Sequence, residues 1–277
     1  MQQHPSQIIR RLYAGVDRPS FDQLRRLDKL KRNCMEFPDA KYWYLVLEVG
    51  EHPKVSWRHN TVAHLGERYA KLSYEDYLEL VHPAWRLPYY SFGAIAYTIS
   101  AQHPQQLQKR KVTFVQQVPL LKEDGEYYWY DQVVIPGAIN AAGQMTSHLN
   151  FYRELGRCRN HLPAWPVVYS GGLPDPEINA FFQYQRQELY ESFLKEVFTD
   201  KQGEFLDKYR KLPAVLKRSE PNRQDAYRLL GMSKSNYDKT QLRIKEQRIN
   251  WFEEFATPSV SAFAIWLNDF FGPPDLA

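Results

Sequence analysis

Asp124-Gly125 lies between two runs that read as strands, KRKVTFVQQVPLL (109–121) and EYYWYDQVVIPG (126–137). An Asp-Gly pair between such runs is a strong hairpin signal, because it supplies residues that tolerate positive φ. Pro136-Gly137 breaks the second run, and QMTSHLNFYREL (144–155) reads as a third strand. Upstream, YWYLVLEV (42–49), the turn EHPK and VSWRHN (55–60) make another hairpin. Between the hairpins the period changes to that of helices. TVAHLGERYAKL reads as a short helix, and Ser73 caps a second that stops at Pro83. The segment Trp85 to Ser100 then places Tyr89, Phe92, Ile95, Ala96 and Ile99 on one face. Two strands, a group of helices and three antiparallel strands define an α+β unit.

The flanking regions are helical or punctuating. Ser20 is placed to cap FDQLRRLDKLKRNCMEF, where Phe21, Leu24, Leu27, Leu30 and Cys34 recur at helical spacing and Pro38 ends the run. Residues 156–180 hold Pro163, Pro166, Pro174, Pro176 and Gly171-Gly172, and read as a linker. The helix expected next (177–198) gathers Ile178, Phe181, Phe182, Leu189, Phe193, Val197 and Phe198 near one side. That face would pack on its own domain or on a second subunit, and a homodimer is the favoured expectation. The expected divisions are a helical segment 1–38, an α+β domain 39–155, the linker 156–180 and a helical domain 181–277.

Charge separates these regions. From Thr199 to Asn250 there are 13 Lys and Arg against 7 Asp and Glu; the remainder carries 23 against 25. A net excess of positive charge confined to one segment suits a polyanion partner. Within it, Thr199 and Gln202 form a capping-box pair ahead of Phe205, Leu206 and Tyr209. Pro221 suits the start of NRQDAYRLL, and Gly231 its end. Ser233 caps KSNYDKTQLRIKEQRIN, on which Tyr237, Leu242 (or Gln241) and Ile244 are expected to face inward. Lys234, Asn236, Lys239, Thr240, Arg243 and Lys245 then become candidates for base edges and phosphates of double-stranded DNA. A last helix from Ser259 has Val260, Phe263, Ala264, Leu267 and Phe271 as its apolar face.

Two families are resembled. The element order from Asp39 to Leu155, with SYEDYLELVHP after the first two strands and the pair KEDGEYYWYDQVVIP and NAAGQMTSHLN, resembles a PAS-like domain. That resemblance implies a sensory or dimerising module with room for a small-molecule signal. The stretch FTDKQGEFL (198–206) resembles the opening of a LuxR-type helix-turn-helix, in which the position of Glu204 helps hold the bundle and a fourth helix can mediate dimerisation. Together they imply a transcriptional regulator. Three departures accompany the second resemblance: a longer link, KLPAVLKRSEPN; Asn236-Tyr237 in place of Thr-Val; and Asp238 in place of a basic residue. An acid at 238 would repel phosphates, and an interaction scaffold that does not bind DNA is the competing reading. A PAS-like small-molecule-binding protein with an activity of its own is the other.

No enzyme constellation is visible: the chain has no phosphate-cradling Gly loop, GxSxG elbow, HExxH or paired Cys motif. No cofactor is expected. Cys34 precedes the first strand, so it does not occupy the reactive position of flavin-type PAS domains, and it reads as an ordinary helix residue. His59, His64 and His82 read as hydrogen-bonded structural histidines rather than haem or metal ligands. An apolar pocket lined by some of Tyr44, Trp57, Phe92, Tyr97, Phe114 and Trp129 is compatible with the pattern, although each also suits solid core. Two cysteines, no N-terminal apolar stretch and no membrane-length run lead to the expectation of a cytosolic protein.

Overall fold

The structure, a computed structural model, describes residues 21–36, 41–50, 52–102, 112–140, 144–158, 163–184, 186–216, 222–252 and 260–272. Ser20, Pro38 and Pro221, to which helix ends are assigned from sequence, lie outside them. The chain forms two compact units, 1–157 with 166–183 and 158–165 with 184–277.

In the first unit, helix α1 (Phe21–Glu36) precedes β1 (Tyr42–Glu48) and β2 (Lys54–His59). Helices α2 (Thr61–Leu65), α3 (Tyr74–Glu79) and α4 (Arg86–Gln102) follow, then β3 (Val112–Leu121), β4 (Tyr127–Pro136) and β5 (Ser147–Arg157). Two short strands, β6 (Val167–Ser170) and β7 (Leu173–Pro174), and helix α5 (Pro176–Tyr184) come last. The sheet is antiparallel throughout, in the order β2-β1-β5-β4-β3-β6-β7. Gly125, at φ +80°, turns β3 into β4 as the Asp-Gly pair requires. The Pro/Gly-rich 166–175 stretch, read as linker, pairs with β3 instead: Val112 to Val115 lie opposite Ser170 to Val167. Its VVY run carries enough strand propensity to extend an open sheet edge.

Strand alternation gives the sheet two different faces. Tyr44 and Val46 point to one, where they join Leu149 and the α1 residues Leu27 and Cys34 in a buried cluster, with Trp57 packed against it. Cys34 is 7 % exposed, so it is the ordinary helix residue expected. Trp43, on the other face, stacks on Tyr152 at 3.8 Å. Ser73 caps α3 in a full capping box: its Oγ accepts from Asp76 N, and the Asp76 carboxylate accepts from Ser73 N.

The second unit contains α6 (Arg186–Val197), α7 (Asp200–Leu216), α8 (Arg223–Leu229), α9 (Lys234–Phe252) and α10 (Val260–Phe271). The helix expected over 177–198 is covered by α5 and α6, and Gln185 between them lies outside the described residues. Ile178 and Phe182 are buried in the first unit, Leu189 and Phe193 in the second, while Phe181 is 42 % exposed. Helix α7 continues through Pro213, where a link was expected. The lost N–H removes one backbone bond, but buried Tyr209 and Leu212 hold the surrounding turns. Arg210 is buried at 1 % exposure without a carboxylate bond. Its Nε donates to Asn268 Oδ1 (2.8 Å), and its guanidinium lies 4.0 Å from the Tyr190 ring centroid, tying α7 to α10 and α6. No helix among the described residues is long and apolar enough to cross a membrane.

Candidate nucleic-acid interface and ligand cavity

The helix boundaries around α8 and α9 follow local chemistry. Asn222 Oδ1 accepts from Asp225 N (2.8 Å) to start α8. Gly231, at φ +64°, ends it: Gly231 N donates to Arg228 O and Met232 N to Tyr227 O, which satisfies carbonyls at the helix end. Ser233 Oγ accepts from Asn236 N (3.3 Å) and starts α9. Ahead of them, Thr199 N donates to Gln202 Oε1 (2.9 Å), the reach-back half of a capping box.

Helical periodicity divides the exposed surface of α9. Tyr237 and Ile244 are buried at 2 % and 0 %, against an aromatic cluster of Phe205 and Tyr209 from α7. Leu242, expected to face inward, is 56 % exposed; Gln241 takes the inner position and donates to Tyr237 OH (2.6 Å). The six candidates split into two flanks. Asn236, Lys239, Thr240 and Arg243 line one side of a groove of about 620 Å³, whose opposite wall comes from Thr199 to Lys208. Lys234 and Lys245 stand on the other flank, exposed, in the row that also holds Asp238. Asp238 accepts from Arg223 Nε of α8 (2.9 Å), and this partner holds its carboxyl below the usual range. The acid thus answers a neighbouring cation, so the repulsion expected of it is offset locally.

The first unit holds a cavity of about 70 Å³ between the sheet and the α3–α4 helices. That is several times the space one water needs. Among the described residues, none that lines it is Asp, Glu, Lys or Arg. Of the six aromatics considered from sequence, Phe92, Tyr97 and Phe114 line it. Tyr44 and Trp57 lie on the opposite sheet face, and Trp129 packs edge-on against Trp85 at 5.4 Å.

A buried hydrogen-bond network forms one wall. Gln116 Nε2 donates to Gln132 Oε1 (2.7 Å), and Gln132 Nε2 donates to Tyr152 OH (2.9 Å) and Asn150 Oδ1 (3.0 Å). Tyr152 OH donates to Tyr77 OH (2.6 Å), which bonds Tyr89 OH. Whichever way that last bond points, one phenolic hydrogen of the Tyr77–Tyr89 pair is left without an acceptor among these groups. Gln116 Oε1, also at the cavity, is buried without a hydrogen-bond partner. One spare donor and one spare acceptor therefore adjoin the same space.

Asn150 Nδ2 lies 3.0 Å from His148 Nδ1, which must accept, so Nε2 carries the proton and donates to Tyr97 OH (2.7 Å). Burial lowers the His148 pKa to about 4, so the ring is neutral near pH 7. Burial pushes the Tyr89 hydroxyl up to about 12 and those of Tyr77 and Tyr152 well above their usual value, so all three remain donors. His82 is likewise lowered to about 4, by burial and then by Arg86. Sequence reasoning missed the polar members of this wall. The available signal was polar residues at the inward phase of otherwise apolar strands, as in Gln132 of β4 and His148-Leu149-Asn150 of β5.

By architecture the chain is an α+β protein with a neutral cavity in a sheet-based unit and a basic helix face in a helical one. No protein-family model matches it, and no curated protein does. Among solved structures it is similar to the phage VqmA–DPO complex, at 12 % identity and TM-score 0.31, over 91 % of this chain and 94 % of that one. It is also similar to the Vibrio cholerae VqmA dimer, described as a LuxR-type receptor, at 12 % identity and TM-score 0.26 over 88 % and 89 %. A third is the Vibrio cholera VqmA–ligand–DNA complex, at 10 % identity and TM-score 0.23 over 88 % of each chain. These TM-scores are too low to define a shared fold.

Proposed function

We propose that the chain is a transcriptional regulator in which a PAS-like sensor unit controls a LuxR-type helix-turn-helix. The observation that carries this reading is α9: a helix opened by a serine cap directly after a glycine turn, presenting Asn236, Lys239, Thr240 and Arg243 together on an exposed flank. In the reading α9 enters the major groove, where Asn, Lys and Arg have the donor geometry for base edges and phosphates. The cavity supports a small, uncharged signal molecule, since among the described residues no ionised side chain lines it. A homodimer on paired half-sites belongs to the same reading.

Selection from a random duplex pool with the full-length protein tests it. A recovered consensus bound more tightly than the starting pool is the expected result. A pool that stays random, with and without small-molecule extract, would contradict sequence-specific regulation.

A further inference from the structure

Three cations without a salt bridge among the described residues, Lys201, Lys239 and Arg243, are gathered around one groove between α7 and α9. Lys208 is paired with Glu204 (2.7 Å), Lys211 with Asp207 (3.5 Å) and Arg223 with Asp238, while Arg210 is buried. Lys201, Lys239 and Arg243 are exposed and, among the described residues, make no ion pair. All three line the same groove, Lys201 from α7 and the others from α9. Among the described residues the sole acid in that lining is Glu204, which already has Lys208. Like charges gathered this way repel one another and gain nothing from the fold itself.

We infer that this groove holds a phosphate backbone, and that Lys201 extends the DNA-contacting surface from α9 onto α7. The inference rests on the reading of DNA binding above. A duplex carries about one negative charge per 1.7 Å of axis, so it offers each of three spaced cations its own phosphate. The hydroxyl of Thr240 and the amide of Asn236 on the α9 wall add neutral donors of the kind that contact phosphate oxygens. Phe205, Leu230 and Met232 add apolar lining, and the side-chain carbonyl oxygen of Gln202 already accepts from Thr199. An acidic peptide is less well matched. On the other flank of α9, Lys234 and Lys245 are also exposed, and positive charge on both sides of one helix suits a long polyanion better than one cluster of carboxylates.

Residue roles follow from this placement. Lys201 neutralises a phosphate and carries no sequence information, so its loss weakens binding to every duplex alike. Lys201 was not legible from its sequence position, because it and Arg243 are brought to one groove only by the packing of Phe205 and Tyr209 against Tyr237.

The test is fluorescence anisotropy of the full-length protein on a labelled random-sequence duplex over a series of NaCl concentrations. Wild type, Lys201→Gln and a control, Lys195→Gln, are compared; Lys195 is exposed on α6 and outside the groove. Each neutralised phosphate contributes roughly 0.9 to the slope of log affinity against log salt. The expected result is a slope reduced by about 0.9 in Lys201→Gln alone, with weakening equal on random and selected duplexes. If wild type binds and Lys201→Gln keeps the control's slope, α7 is not on the backbone and the inference fails while the DNA reading stands. If wild type does not bind duplex, whether or not it captures a poly-glutamate peptide, both fail.

Discussion

The cavity of the sheet unit and the groove of the helical unit solve opposite problems with polar side chains. In the cavity wall, Gln132, Asn150, His148 and the hydroxyls of Tyr77, Tyr89 and Tyr152 are buried, uncharged and tied to one another. Around the groove, Lys201, Lys239 and Arg243 are charged, solvated and unpaired among the described residues. A buried polar group costs stability unless it is bonded, so the cavity wall is built by mutual satisfaction. A solvated cation costs the fold little, so the groove can leave its charges for a partner. Damage to the first should appear mainly in stability, and damage to the second in binding and its salt dependence.

The largest expected effect is on pH stability. His148 and His82 have folded pKa values of about 4 against a usual 6.5. The unfolded chain therefore binds more protons between these values, and stability present above pH 6.5 is lost as pH falls towards 4. The loss should reach a few kcal/mol, measured by hydrogen exchange of the β4 and β5 amides; protection unchanged from pH 7 to 4.5 would remove the buried-neutral assignment. Gln132→Leu should cost about 2 kcal/mol or more in denaturant unfolding, because it leaves Gln116, Asn150 and Tyr152 short of partners. DNA affinity should follow only through the unfolded fraction.

Gly203→Ala sharpens the contrast from the other side. A Cβ there meets only Leu194, at 3.9 Å, so the substitution should stabilise α7 by up to about 1 kcal/mol without changing the salt slope. A loss of melting temperature would show that α7 needs the glycine for something else. The smallest effect expected is that of Asp238→Asn. Releasing Arg223 from its carboxylate should raise DNA affinity by a few-fold and steepen the salt slope. Unchanged binding would place that flank of α9 away from phosphates.

Local signals foretold local structure. The Asp124-Gly125 turn, the Ser73 box, the Thr199–Gln202 pair and the Gly231-Met232-Ser233 corner each act within a few residues, and each is found where the chain dictates it. What depends on packing was less legible. Of the two residues considered for the inner side of α9, apolar Leu242 is exposed, whereas Gln241, one turn from Tyr237, lies on that side and bonds its OH. Asp238 read alone is a repulsive charge, and only the approach of α8 supplies Arg223. Strands β6 and β7 were hidden by prolines and glycines, whose turn-forming character masked a short VVY run that pairs with β3. The polar cavity wall escaped notice because Gln132 and Asn150 come from different strands, while Tyr77 and Tyr89 come from different helices.

The measurement closest to the central claim is duplex DNA affinity as a function of salt, for wild type beside the Lys239→Glu/Arg243→Glu variant. The account predicts salt-sensitive binding by wild type, with log affinity falling linearly in log salt, and its loss in a variant that keeps wild-type stability. Equal affinity and slope in the two proteins would contradict it, because the exposed flank of α9 would then have no part in holding DNA.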